Sequence, residues 1–177
     1  MKADRLTCRD WLKAGLRALA ESGAAALKAD SLAKSLGVSR GSFYWHFADV
    51  GAFHDAILQR WQQIAFQNIV EELAGAPGDR LESLLSRAFR ADSPLERAVR
   101  AWATAEPRAK AMVESVDTKR RFYVEKLLIE MAVPPERAAS RTRIIYWAYL
   151  GHVLSAEKIS SPEWNAIANE LLLLARA

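Results

Sequence analysis

The chain has 177 residues, of which 51% are apolar, so it can bury a sizeable core and a disordered chain is excluded. The formal net charge of +4 permits a nucleic-acid partner without requiring one, because the basic residues are spread along the whole chain. A single cysteine, Cys8, excludes an internal disulfide. The charged N-terminal residues and the shortness of the apolar runs predict no signal peptide and no membrane span, and we expect a cytoplasmic protein.

Helical spacing of apolar residues extends along nearly the whole chain, and strand patterns are almost absent. We therefore predict an all-α fold of about nine helices. In the first helix, Cys8, Trp11 and Gly15 belong to one buried stripe. The first four predicted helices cover about 4–22, 28–36, 40–47 and 49–74. The next two begin at 79 and at 94, and a seventh extends from 107 to about 131. The eighth covers about 136–156, and the ninth begins at 161. A loop over 75–78 separates the fourth helix from the fifth.

Two of the short helices form the segment that carries the function. They are joined by Gly37-Val38-Ser39, a glycine-containing turn typical of a helix-turn-helix motif, and Ser39 is positioned to cap the second of them. In that helix Phe43 and Phe47 share one face and are predicted to be buried. Tyr44 and Trp45 then point away from the core. An exposed aromatic face is unusual, and it makes sense if the helix enters a DNA groove.

The run from Leu32 to Phe47, LAKSLGVSRGSFYWHF, closely resembles the DNA-binding domain of TetR-family repressors. The resemblance implies a three-helix helix-turn-helix domain over 1–50, with the third helix in the major groove. The fourth helix connects it to a helical effector-binding and dimerisation domain over 51–177. Residues matched to DNA contacts by the motif and by their chemistry are Lys28, Ser39, Arg40, Gly41, Ser42, Tyr44, Trp45 and His46.

Two positions depart from the family pattern. Lys28-Ala29 replaces a hydroxyl residue that often contacts a phosphate at the start of the second helix. Val50 stands where many members carry a basic phosphate contact near the start of the fourth helix. One contact to the DNA backbone is therefore expected to be missing.

The C-terminal part is expected to hold a dimer interface and an effector pocket. Its penultimate helix is apolar around most of its circumference, which is typical of a helix buried on two sides. The expected interface residues are Trp147, Leu150, Gly151, Leu154, Trp164 and Leu171. A symmetric dimer implies a palindromic operator. Aromatic residues that could line a mainly apolar pocket are Trp61, Trp102, Phe122, Tyr123 and Tyr146.

The leading hypothesis is a dimeric, sequence-specific DNA-binding regulator. We expect it to act as a repressor that a small apolar effector releases from DNA. The alternative is a helical small-molecule-binding or interaction protein of the same fold that has weak or lost DNA binding. An enzyme is not expected, because the three histidines lie in no catalytic or metal-binding pattern. We expect no cofactor and no metal site.

Overall fold

The computed structural model describes residues 6–75, 78–90, 92–155 and 159–176, and every regular element within these ranges is helical. The elements are α1 Cys8–Ser22, α2 Ala29–Ser35, α3 Arg40–Tyr44, α4 Val50–Gln62, α5 Asn68–Gly75, α6 Arg80–Arg90, α7 Pro94–Ala103, α8 Pro107–Glu130, α9 Pro135–Leu154 and α10 Ser161–Arg176, with a short 3₁₀ turn over Ala24–Ala26. One π-helical turn, Gln63–Gln67, joins α4 to α5 without a break. Counted with that join, the described residues form nine helices, and the predicted all-α fold is confirmed.

The helix boundaries follow local capping chemistry. Thr7 caps α1 reciprocally: its side chain accepts from the backbone N–H of Asp10, and the Asp10 carboxylate accepts from the backbone N–H of Thr7. These hydrogen bonds from Thr7 hold the pKa of Asp10 below its ordinary value. Asp49 caps α4 by accepting from the Ala52 N–H at 2.7 Å. The predicted start at Asp4, the centre of the 75–78 loop and the predicted end near Ala156 lie outside the described residues.

The described chain divides into two compact units, and the division differs from a boundary at residue 50. The first unit contains α1 to α4 as far as Ala65, together with Pro94–Glu114, which covers α7 and the start of α8. Within it α7 packs along α1. The second unit contains Phe66–Ser93 and the residues from Ser115 onward.

The core of the second unit is built from the inner faces of four helices. α6 contributes Leu81, Leu85 and Phe89, and α8, α9 and α10 contribute Val124, Leu127, Leu128, Ala138, Ile145, Trp164, Leu171, Leu172 and Ala175. Val133 joins this core from the turn between α8 and α9. α10 also contacts α6 and α9 along its length. This packing explains why apolar residues recur at helical spacing through the C-terminal part of the sequence.

One residue of the predicted α1 stripe is placed differently. Trp11 and Leu19 are fully buried, as the stripe predicts, but Cys8 is exposed. The reason is that Thr7 starts the helix at Cys8, later than the predicted start, so Cys8 lies in the first turn beyond the packed part of the stripe.

Candidate DNA-binding surface

The turn between α2 and α3 closes as a helix C-cap followed immediately by a new helix. Gly37 adopts φ +66°, a left-handed conformation that residues with a side chain rarely adopt. The N–H of Val38 then donates to the Ala33 carbonyl at 3.0 Å, and the N–H of Gly37 donates to the Lys34 carbonyl at 3.2 Å. The turn thereby ends α2 and directs the chain into α3, as the Gly-Val-Ser sequence predicts.

Buried aromatic rings hold α3 in place within the first unit. Phe43 is fully buried, and its ring meets the Trp11 ring edge-on with centroids 5.3 Å apart. Its ring also lies 5.2 Å from those of Phe47 and Phe53. T-shaped and tilted contacts at this separation are favourable for aromatic pairs. The Phe43 and Phe47 face is therefore the inner face of α3, as predicted.

The opposite face of α3 is open to solvent. Trp45 is 78% exposed and Tyr44 is 42% exposed. Ser42 and His46 are half-buried, and the remaining predicted contact residues are exposed: Lys28, Ser39, Arg40 and Gly41. A Cβ built on Gly41 would meet only the Ser39 hydroxyl, at 3.7 Å, so space remains outside the helix at this position. The predicted contact residues of α3 thus lie beside one another at one surface.

The expected cap of α3 is absent, whereas the poor cap expected for α2 agrees with the structure. Ser39 occupies the N-cap position of α3, but its side chain makes no capping hydrogen bond. Lys28 occupies the N-cap position of α2 and makes none either, which fits its replacement of a hydroxyl residue. α3 is also shorter than predicted, ending at Tyr44, although Phe47 keeps its buried position because its N–H still donates to the Phe43 carbonyl. The Ser39 hydroxyl, not used for capping, remains at the surface.

A small polar network orders the exposed side of α3. The Arg40 guanidinium donates to the Tyr44 hydroxyl at 3.0 Å, and its Nε lies 3.3 Å from an Asp30 carboxylate oxygen on α2. The Tyr44 hydrogen bond and the Asp30 charge raise the pKa of Arg40 above its ordinary value. These side chains are exposed, so water screens the interaction, and the guanidinium can exchange its partners for a ligand at little cost.

The side chain of a second arginine lies beside the start of α4, although the residue itself belongs to α8. The sequence patterns do not predict this contact. Arg108, in the first turn of α8, places its guanidinium beside Gly51: a Cβ built on Gly51 would lie 3.1 Å from Arg108 Nη1. The same nitrogen is 3.4 Å from an Asp55 carboxylate oxygen one turn further along α4. Positions 51 and 108 are far apart in the sequence, so only the folded unit brings them together.

The predicted pocket residues fall into both units and differ in burial. In the first unit Trp61 and Trp102 are buried, and the Trp102 ring packs edge-on against His54 at 5.1 Å. In the second unit Tyr146 is buried and donates a hydrogen bond to the Asp117 carboxylate at 2.6 Å. Phe122 is 70% exposed, so its expected role in an enclosed pocket is not supported. Tyr123 is half-buried, with its ring 6.2 Å from that of Phe66.

The predicted interface residues also separate into two groups. Trp164 and Leu171 lie in the core of the second unit, and little of either side chain is left for a partner. The other four lie on α9 and are exposed to different extents: Trp147 is 63% and Leu154 is 60% exposed, Gly151 is exposed and Leu150 is half-buried. Ile144, 44% exposed, extends the same stripe and was not predicted.

The described residues contain no group of three or more His, Cys, Asp or Glu side chains arranged to hold a metal ion. His54, one of the three histidines, has a structural contact: its Nε2 lies 3.1 Å from the Leu27 carbonyl oxygen. Among the helices of the described ranges, none combines the length and the apolar character that crossing a membrane requires.

Comparison with known proteins agrees with this geometry. The model of the TetR family of bacterial regulatory proteins matches residues 12–49, which contain most of α1 and the whole α2–turn–α3 motif. The N-terminal segment is therefore similar to the TetR-family domain over these residues. The predicted resemblance is thereby confirmed, and the fold is a helix-turn-helix DNA-binding fold of the TetR type. Regulators of this family are generally not enzymes.

Solved structures extend the TetR-type likeness to almost the whole chain. A Rhodococcus sp. protein assigned to the TetR family is 19% identical with a TM-score of 0.73, covering 96% of this chain and 99% of that one. A transcriptional regulator from Saccharomonospora viridis in complex with choline is 16% identical with a TM-score of 0.73 and coverages of 94% and 95%. The multidrug binding protein EbrR, complexed with imidazole, is 20% identical with a TM-score of 0.62 and coverages of 95% and 96%. No curated protein sequence matches significantly. At these identities the likeness establishes the fold.

Proposed function

We propose that this protein is a sequence-specific transcription regulator that inserts α3 into the major groove of duplex DNA. The observation that carries the proposal is the division of α3 into two faces: Phe43 is fully buried, whereas the adjacent Tyr44 and Trp45 are exposed. A helix fixed rigidly by its inner face can present its outer face at a constant angle to a groove. The TetR-type fold supports this function.

The side chains of α3 have complementary roles at such an interface. Arg40 can donate two hydrogen bonds to the O6 and N7 atoms of guanine, the commonest specific contact in the major groove. Tyr44, His46 and the Trp45 N–H can donate to phosphates, which fix the register of the protein on the duplex. Gly41 lets the helix approach closely, because no side chain stands between the backbone and the DNA.

We propose further that the regulator is a homodimer that pairs through α9. Its exposed apolar positions Ile144, Trp147, Gly151 and Leu154 follow the three–four–three spacing of a helix–helix seam. Gly151 has no atom within 4 Å of a built Cβ, so a partner helix could approach there. A two-fold axis through this seam would present two α3 helices to the half-sites of a palindrome.

We propose, lastly, that the second unit holds an effector site. A small, mainly apolar ligand bound there would release the protein from DNA and relieve repression. The choline and imidazole complexes of two relatives of this fold support ligand binding in general. In this chain the Thr142 hydroxyl is buried and has no hydrogen-bond partner among the described residues, one helical turn from Tyr146. A buried hydroxyl of this kind is costly to leave unsatisfied, so a ligand with one polar group would be favoured there. As a DNA-binding protein it would act in the cytoplasm.

The test of DNA binding is selection of bound duplexes from a random library at near-physiological salt, with the protein as the full chain. We expect a palindrome whose half-sites lie about one helical turn apart, roughly 34–36 Å. Recovery of no sequence above background would reject the proposal in favour of a helical small-molecule-binding protein of the same fold.

The test of the dimer is Trp147→Glu, analysed by sedimentation. We expect the parent to sediment as a dimer and the variant as a monomer, because a carboxylate in an apolar seam would be buried without a partner. The matched control is Phe122→Glu, which places the same charge at another strongly exposed aromatic position of the second unit. Equal association of both variants and the parent would contradict the α9 seam.

A further inference from the structure

The Arg108 guanidinium lies beside the start of α4, where Gly51 leaves room for it. Gly51 has no side chain, and any Cβ there would lie 3.1 Å from Arg108 Nη1. The guanidinium therefore occupies the space that a side chain at position 51 would fill. Val50, the neighbouring residue, is half-buried and carries no charge.

The start of α4, beside which Arg108 lies, packs against the α3 segment: the Phe53 ring is 5.2 Å from that of Phe43 and 4.9 Å from that of Phe47. Five residues lie between Trp45 and Gly51, which limits the distance between their backbones to roughly 20 Å even for a fully extended chain. The major groove that would receive α3 is about 12 Å wide and is bordered by phosphates on both sides. A basic side chain beside the start of α4 could therefore reach a phosphate that flanks this groove.

Few interactions hold Arg108 in its present position. Its ion pair with Asp55 is long, 3.4 Å, and both side chains are at least half exposed. Such a pair is screened by water and contributes little, so the guanidinium can leave the carboxylate for a phosphate. The other charged groups near Arg108 include Asp49, whose Oδ1 lies 3.1 Å from the Cβ built at position 51, Glu106, whose carboxylate accepts from the Arg108 backbone N–H, and the exposed Lys110.

From this geometry we infer that Arg108 binds a DNA backbone phosphate beside the start of α4 and supplies the contact that Val50 cannot make. The inference rests on the proposed DNA-binding function. It assigns a DNA contact to a residue outside the α1–α3 domain, on a helix that continues past Glu114 into the second unit. A change in the position of α8 would then alter a DNA contact directly.

The test measures the affinity of the full-length protein for a pool of random-sequence duplexes between about 50 mM and about 200 mM salt, because phosphate contacts are independent of sequence. Arg108→Gln removes the charge and the ion pair. Asp55→Asn removes the same ion pair but leaves the arginine. We expect Arg108→Gln to weaken binding and to reduce the salt slope by about 0.9 per bound subunit. The fall in affinity over that range should then be about 3.5-fold smaller than the parent's for each subunit. We expect Asp55→Asn to bind at least as tightly as the parent.

Each other outcome overturns the inference in a recognisable way. If both variants weaken binding equally, Arg108 acts only through its ion pair with Asp55. If Arg108→Gln keeps the parent's salt slope, no phosphate contact is made there, while the proposed function stands. If the parent itself has no salt-sensitive affinity for duplex DNA, the proposed function fails together with the inference.

Discussion

The hydroxyl of Tyr44 accepts a hydrogen bond from the guanidinium of Arg40 at 3.0 Å, so the two residues that face outward from successive turns of α3 are linked before any DNA is bound. The Arg40 guanidinium also lies 5.5 Å from the centre of the Tyr44 ring. This contact restricts the rotamers of both side chains. It brings the group expected to recognise a base together with a group expected to bind a phosphate.

Replacing Tyr44 with alanine should weaken binding to all DNA sequences by about 1–2 kcal/mol, as the loss of a phosphate contact does. Tyr44→Phe should weaken it less, because the ring stays and only the hydroxyl is lost. Affinity measured on the selected palindrome and on an unrelated duplex checks this. Parent-like binding by Tyr44→Ala would show that the outer face of α3 is not the recognition face.

Phe43 and Trp45 should respond in opposite ways, although they are only two residues apart. Phe43→Ala empties a fully buried position and should cost about 3–5 kcal/mol of unfolding free energy. Trp45→Ala should change stability by no more than about 0.5 kcal/mol, since the ring is mostly exposed, but it should weaken DNA binding. Denaturant unfolding of both variants is the measurement. A large stability loss in Trp45→Ala would place that ring in the core instead.

Gly15 permits the close approach of α1 and α4. A Cβ there would lie 2.6 Å from both the Ile57 Cδ1 and the Phe53 Cζ atoms, so Gly15→Ala should destabilise the first unit by about 1–3 kcal/mol through overpacking. Gly41→Ala is the matched control, because only the Ser39 hydroxyl lies near its built Cβ. It should be neutral or stabilising by up to about 1 kcal/mol. Equal thermal stability of the two variants would contradict the packing described here.

Asp79 should give the second unit part of its acid sensitivity. Burial alone would raise the pKa of Asp79, but the hydrogen bond from Arg176 and those from the Glu82 and Leu81 N–H groups outweigh it, and the pKa lies below its ordinary value. A lowered pKa in the folded state adds stability above the unfolded value, and this stability is lost as the pH falls through the folded value.

Unfolding measured from neutral pH to about pH 2 tests this linkage. Asp79→Asn should show a shallower loss of stability in acid than the parent does. Asp79→Ala should lose about 1 kcal/mol at neutral pH, because it also removes the helix cap. Identical acid profiles of Asp79→Asn and the parent would indicate that the Arg176 pair does not stabilise the fold.

The sequence was most informative where local chemistry decides the structure. The Gly37 turn and the buried face of Phe43 and Phe47 depend on residues close together in the chain, and both were predicted. The predicted end of α3 near residue 47 was wrong, because Phe47 is buried whether the helix ends at Tyr44 or continues. The periodicity of apolar residues is the same in both cases.

Features that depend on distant residues could not be predicted. α10 has two apolar sides, and only the packing shows that Trp164 and Leu171 face the core whereas Leu173 is exposed. Arg108 likewise has no local signal, because its significance comes from Gly51 at the start of α4. Gly51 in the first turn of α4 indicates room for a basic side chain only once the structure shows that Arg108 lies beside it.

The first unit is assembled from two stretches of chain, and this order matters during synthesis. α7, which packs along α1, is encoded after the whole of residues 66–93, so a ribosome releases α1 to α4 well before their covering helix exists. Until residues 94–114 emerge, the side of α1 that faces α7 has no partner, and the nascent chain exposes apolar surface. Until α7 is synthesised, the incomplete chain therefore presents an apolar surface of the kind that chaperones bind.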